Sequence, residues 1–303
     1  MKALLVLSIT LLLQQQQMPS SPAEQQDGPG PQMRRQIPLA ESVVGDEAQV
    51  PLHYVDGLPA VDIVIHGRKL TFGIDTGAIG LLRLEEATSE SLKLETIGEG
   101  RAVDPSGKNP QIVKITKVDR LELGGITFYG LEASTAIGRA KIRAVDGVLG
   151  LNLFNNFVLT IDYGKNVLVV KRGSLPAADG ISVTHYDGPL PSVPMTIEGK
   201  TMAAHLDTGN TRAPILVPTE FAQQLAHYDQ RAVDGQAHTV SSTIDMFKAP
   251  MVGEAKAGGV TLSATAVDWP SVIPVANIGS LALKHVRVEV DPKNHLIRLG
   301  ISE

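Results

Sequence analysis

The sequence predicts an all-β fold made of two related lobes. Three observations lead there: apolar residues that alternate with period two around short turns, little helical pattern, and an internal repeat through most of the chain. Strand pattern begins near residue 50. In "AVDIVIHGRKLTFGID", Val61, Ile63 and Ile65 alternate with other residues, "HGRK" turns the chain, and Leu70, Phe72 and Ile74 alternate on the return. Such alternation about a Gly-containing turn is a β-hairpin signature. "VDRLELGGITFYGLEA" repeats it about Gly124 and Gly125, and "NNFVLTIDYGKNVLVV" about Tyr163 to Asn166. Helical pattern is limited to "TEFAQQLAHY" (219–228), with a Thr expected as its cap, and more weakly to "RLEEATSESL" (83–92).

The repeat organises the chain. "IHGRKLTFGIDTG" lines up with "IEGKTMAAHLDTG", so that Gly67 and Asp75 correspond to Gly199 and Asp207. Upstream, "YVDGLP" is echoed by "HYDGPLP". Downstream, "LELGGITFYGLEASTA" is echoed by "EAKAGGVTLSATAV", and "GVLGLNLFNNFVLTIDYGKNVLVV" by "ANIGSLALKHVRVEVDPKNHLIRL". The reading is a tandem duplication: a first lobe over 50–172, a linker at 173–179 and a second lobe over 180–303.

The N-terminus carries Lys2 and the apolar run "ALLVLSITLLL", the length of a signal-peptide core and shorter than the roughly 20 residues a membrane span needs. "SPA" before Glu24 offers small residues for cleavage, so residues 1–23 are expected to be a signal peptide and the chain to be exported, periplasmic or extracellular. An uncleaved anchor or a misassigned start is the alternative. Residues 24–49, rich in Gln, Pro and Gly, are expected to be a flexible leader. Arg34 and Arg35 would let that leader act as a short inhibitory segment against an acidic cleft.

Composition narrows the function. At 43% hydrophobic and 19% charged the chain is globular in type, and a net charge of −5 gives no reason to expect nucleic acid as a partner. The chain has no cysteine, which removes thiolate nucleophiles, disulfides and Cys-ligated metals. Its 8 histidines form no HExxH or His-x-His motif, so neither a metal nor a cofactor is expected.

The chemistry sits in "FGIDTGAIG" (72–80) and "AHLDTGNTR" (204–212). Each takes a carboxylate to the end of an apolar strand and follows it with Thr and Gly. Gly77 and Gly209 supply the turn and let backbone approach the carboxylate. Thr76 and Thr208 carry hydroxyls that could tie one loop to the other. If the lobes pack about a pseudo-twofold axis, Asp75 and Asp207 meet there and share one proton, because two adjacent carboxylates resist full ionisation. One then serves as general base on water and the other as acid toward a carbonyl oxygen. Two inert turns carried along by duplication remain the structural alternative.

These two "DTG" copies, with "VLG" at 148–150 and "NIG" at 277–279, resemble the aspartic proteases of the pepsin and retropepsin type. The resemblance implies an acid-protease fold of two β-barrel-like lobes with a peptide cleft between them. It implies Asp75 and Asp207 as the catalytic pair, Thr76, Gly77, Thr208 and Gly209 as support in the catalytic loops, and Gly150 and Gly279 packed against those loops. It further implies a peptide or protein substrate and a monomer that builds its site from one chain. A flap is expected from 98–115, and its second-lobe counterpart from 230–244.

Four departures from that family pattern carry expectations. Ala78 stands where pepsin-like enzymes have Ser or Thr, the retropepsin choice, which removes a hydroxyl from Asp75 and should move activity toward neutral pH. Asn210 at the matching place is expected to donate through its amide, and "NIG" to loosen packing under the second loop. His205 lies two residues before Asp207 on the same strand face, either as a core histidine or as a charge tuning the pair. A peptide-binding protein that keeps the bilobed fold without catalysis is the rival reading.

Overall fold

A computed structural model describes residues 39–102, 111–136, 144–238, 243–271 and 276–303. The expected signal peptide, most of the leader and the tips of both expected flaps fall outside the described residues. Strands dominate, as the alternation predicts. Among the described residues, helix is confined to Glu86–Ser91, Thr219–Ala222 and short 3-10 turns such as Leu151–Phe154 and Ser280–Leu283. None of the described helices is long and apolar enough to cross a membrane.

The hairpins fall where the turns were read. Leu58–Ile65 pairs with Arg68–Asp75 and Ser192–Ile197 with Lys200–Asp207, both antiparallel. Their turns match: His66 and Gly67 have φ of 50° and 73°, and Glu198 and Gly199 have 49° and 75°. Two consecutive residues in the left-handed region make the tight turn that suits a twisted hairpin.

Two expectations need correction. The helix expected over 219–228 ends at Ala222, and Pro218 rather than Thr219 occupies its N-cap position. The Thr219 hydroxyl is instead given to the Pro270 carbonyl at 3.3 Å, and Tyr228 stacks on Trp269 at 5.6 Å, drawing the segment onto the core. The leader expected over 24–49 contains strands at Ser42–Val44 and Glu47–Pro51. Val43 pairs with Phe128 and Ala48 with Val170, so a short alternation suffices when an existing sheet edge receives it.

Among the described residues, each lobe has its own sheet of nine strands. In the first, pairing runs from Ile126–Ala136 through Leu82–Leu84, Gly147–Gly150, Arg68–Asp75 and Leu58–Ile65 to Gln111–Leu123. The last strand pairs back on the first, so this ladder closes on itself. The second runs from Ala232–His238 through Thr243–Pro250, Ala266–Pro270, Ile215–Leu216, Ala276–Gly279, Lys200–Asp207, Ser192–Ile197 and Ala255–Ala257 to Val260–Thr261. Among the described residues it stays open.

A third sheet joins the lobes. Its centre is the antiparallel pair Phe157–Asp162 and Val286–Asp291, corresponding strands of the two repeats. Leu159 faces Val290 and Ile161 faces Val288. These contacts exchange under the repeat, as in an isologous twofold interface. Glu47–Pro51 and Val167–Arg172 flank one side, and Leu296–Ile301 and Val183–His185 the other. One apolar core runs through all of this, from Phe72 and Phe128 to Leu206, Val288 and Trp269.

Candidate active site

Both Asp-Thr-Gly loops begin where a strand ends beside a parallel neighbour. Asp75 is paired with Gly150, and Asp207 with Gly279. These parallel pairs bring the "VLG" and "NIG" segments against the loops, and the fit is close. A Cβ on Gly150 would lie 2.1 Å from the Gly80 carbonyl oxygen, and one on Gly279 would lie 2.4 Å from that of Ala213. The loop backbone occupies the space a side chain would need.

Threonines then lock loop to loop. The Thr76 amide donates to Thr208 Oγ1 at 3.0 Å, and the Thr208 amide donates to Thr76 Oγ1 at 3.1 Å. Each hydroxyl passes its own proton across: Thr76 Oγ1 to the Leu206 carbonyl and Thr208 Oγ1 to the Ile74 carbonyl, both at 2.7 Å. Both side chains are buried, so breaking one bond leaves several groups unsatisfied away from water. This exchange carries the two aspartates to one place.

Asp75 and Asp207 are each 3% exposed, and their carboxyl groups are close enough for each to act on the proton of the other. The Cα of Gly209 lies over Asp75, where a Cβ would stand 2.5 Å from Oδ2. The Gly77 amide donates to Asp75 Oδ1 at 2.9 Å, and the Asn210 amide to Asp207 Oδ1 at 3.1 Å. Burial, followed by the repulsion between the two adjacent carboxyls, pushes the upper titration of the pair far above the usual carboxylate range. The pair therefore keeps a proton at pH values where isolated carboxylates lose it.

The support differs between the loops. Ala78 and Val148 offer the first no side-chain donor, in line with the sequence reading of Ala78. In the second, the Asn277 amide nitrogen donates to Asp207 Oδ2 at 2.7 Å. Asn210 does not reach Asp207 with its side chain; its amide nitrogen donates to Asn277 Oδ1 at 2.9 Å. This corrects two expectations. The polar residue of "NIG" does not loosen the packing under the loop but makes hydrogen bonds there, and the Asn210 amide acts through Asn277.

Ser280 and Tyr163 are further residues that sequence reasoning missed. Ser280 Oγ donates to the Thr208 carbonyl at 2.8 Å, so its 2.9 Å contact with Tyr163 must be donated by the phenol. Burial raises the Tyr163 pKa, keeping it protonated for that role. The available signal was that polar departures cluster in one repeat: Asn210 for Ala78, Asn277 for Val148 and Ser280 for Leu151. His205 is half-buried and faces Asn277 across the parallel pair. Burial lowers its pKa, which favours a neutral imidazole.

Residues 61–153 match the family model described as aspartyl protease. The match spans about a third of the chain, from the hairpin before Asp75 to the turn after Gly150. It supports the broad aspartic protease family and a hydrolase of peptide bonds in general terms. It does not reach the second loop. No curated protein sequence matches the chain.

Proposed function

We propose that this chain is an aspartic endopeptidase that cleaves peptide bonds with water activated between Asp75 and Asp207. The observation that carries the reading is the reciprocal threonine exchange, which brings two buried carboxyls together at the lobe junction. One carboxylate removes a proton from water as the water oxygen attacks the peptide carbonyl carbon. The other carboxyl gives its proton to the carbonyl oxygen. Collapse of the tetrahedral intermediate breaks the C–N bond and passes a proton to the leaving nitrogen. Both halves of the site come from one chain, so a monomer suffices. The signal peptide expected at 1–23 fits export, with action on peptides or proteins outside the cytoplasm.

The test is cleavage of a diverse peptide library by purified protein and by Asp75→Asn and Asp207→Asn. Each near-isosteric change should remove roughly 10³-fold or more of the activity while the folded spectrum is retained. Full activity in either variant would end the proposal. Peptide binding without turnover in the wild type would make the chain a binding protein that keeps the bilobed fold.

A further inference from the structure

The geometry points to Asn277, oriented by Asn210, as a positioning residue that keeps Asp207 as the carboxylate of the pair and leaves the shared proton on Asp75. The inference rests on the endopeptidase reading and assigns the two roles within it. Its first step is the orientation of two amides. The backbone amides of Arg212 and Ala213 lie 3.2 and 3.3 Å from the outer atom of the Asn210 side chain. Backbone N–H groups only donate, so that atom is the oxygen. The Asn210 nitrogen therefore faces Asn277, 2.9 Å away, and the Asn277 atom it meets must accept. What remains of the Asn277 amide is its nitrogen, 2.7 Å from Asp207 Oδ2. The chain of donors is fixed from the backbone outward.

The second step concerns protons. Each aspartate accepts a backbone N–H on Oδ1, Asp75 from Gly77 and Asp207 from Asn210, and Asp207 accepts a further N–H on Oδ2 from the Asn277 side chain. Donors of this kind stabilise the ionised form. In the first lobe, the places of Asn210 and Asn277 are taken by Ala78 and Val148, whose side chains cannot donate. Burial and mutual repulsion make the pair hold one proton, while the amides decide which member releases it. Asp207 then acts as general base on water and Asp75 gives its proton to the carbonyl oxygen. When the C–N bond breaks, the proton gained by Asp207 goes to nitrogen. The Asp75 proton returns from the intermediate's hydroxyl, which restores the starting state.

The experiment has two arms. The first follows the carboxyl ¹³C resonances of Asp75 and Asp207 against pH in the wild type, assigned with the Asp→Asn variants. Asp207 should show the carboxylate shift, and Asp75 the protonated one, across the range where the pair holds one proton; the reverse assignment overturns the inference. The second compares kcat/KM against pH for the wild type, Asn277→Val and Asn210→Ala, which install the first-lobe residues. In Asn277→Val the acid limb should move up by about one pH unit, a loss of about tenfold on that limb, with a smaller shift for Asn210→Ala. A folded Asn277→Val with both limbs unmoved overturns the inference and leaves the endopeptidase reading intact. A wild type that cleaves nothing sinks that reading, while the ¹³C titration still decides where the proton resides.

Discussion

The two lobes share their backbone and differ in how they hold their aspartates. In the first, Asp75 ends a strand in a ladder that closes on itself, and Ala78, Val148 and Leu151 surround its loop. In the second, the ladder stays open among the described residues, and Asn210, Asn277 and Ser280 take those places. What both lobes keep is imposed by backbone geometry: the strand-end aspartate, the exchanged threonine and the glycine that lets the loop approach. What differs are side chains that support one another: Asn210 is held by the Arg212 and Ala213 amides, Asn277 donates to Asp207, and the bond between them satisfies what each has left.

The shared part should be the most fragile, and equally so on both sides. Gly150→Ala and Gly279→Ala each place a methyl group within 2.1 and 2.4 Å of a fixed carbonyl oxygen. Each should cost at least about 4 kcal/mol, read as loss of the cooperative denaturant transition. If one is tolerated and the other is not, the equivalence of the two loops is wrong.

The divergent part should show strong coupling. Asn210→Ala strips an acceptor from the Arg212 and Ala213 amides and a donor from Asn277, at a cost of about 3 kcal/mol. Asn277→Val alone should cost about 2 kcal/mol by stranding the Asn210 amide. The double variant, which recreates the first lobe's pair, should cost less than the sum by at least about 1 kcal/mol in urea melts. Additivity would show that the two amides do not act as one device.

Much of this was legible in the chain. Period-two alternation gave the hairpins at 58–75 and 157–172, because each is nearly a local event: a turn with left-handed residues and two faces of opposite polarity. The repeat placed Asp75 and Asp207 in equivalent positions, and twofold packing followed from that equivalence. The polar support of the second loop was read wrongly because it depends on contacts across the fold. Asn277 and Asn210 are 67 residues apart, and Tyr163 reaches Ser280 over 117. The strands at 42–44 and 47–51 were missed for the same reason. Their patterns are too short to stand alone, and they form because edges elsewhere in the chain are waiting for them.

The same position tells the lobes apart once more, away from the aspartates. Leu84 pairs with Thr135 in the first lobe, and its counterpart Leu216 with Asp268 in the second. Both Thr135 and Asp268 are 1% exposed, and each has a side-chain oxygen without a partner. A hydroxyl there is indifferent to pH and a carboxyl is not. Burial raises the Asp268 pKa to about 7, against Lys248 at 3.8 Å and Arg212, with Asp234 adding to the rise. Arg212, itself 8% exposed in its side chain, is bound to Asp234 and leaves one guanidinium nitrogen unpartnered. Because the folded value lies above the unfolded one, the protonated carboxyl stabilises the fold. That stability is fully present below about pH 4 and is lost as pH rises through about 7. Asp268 should therefore contribute a fall of roughly 2 kcal/mol between pH 5 and 7. Asp268→Asn, neutral at every pH, should flatten that part of the curve and leave the slopes due to the Asp75–Asp207 pair and His205. Thr135→Val in the first lobe should leave the slope as it is. Thermal melts of the three proteins at pH 5, 6 and 7 decide it: parallel curves for the wild type and Asp268→Asn would mean that the carboxyl is ionised in its buried site throughout.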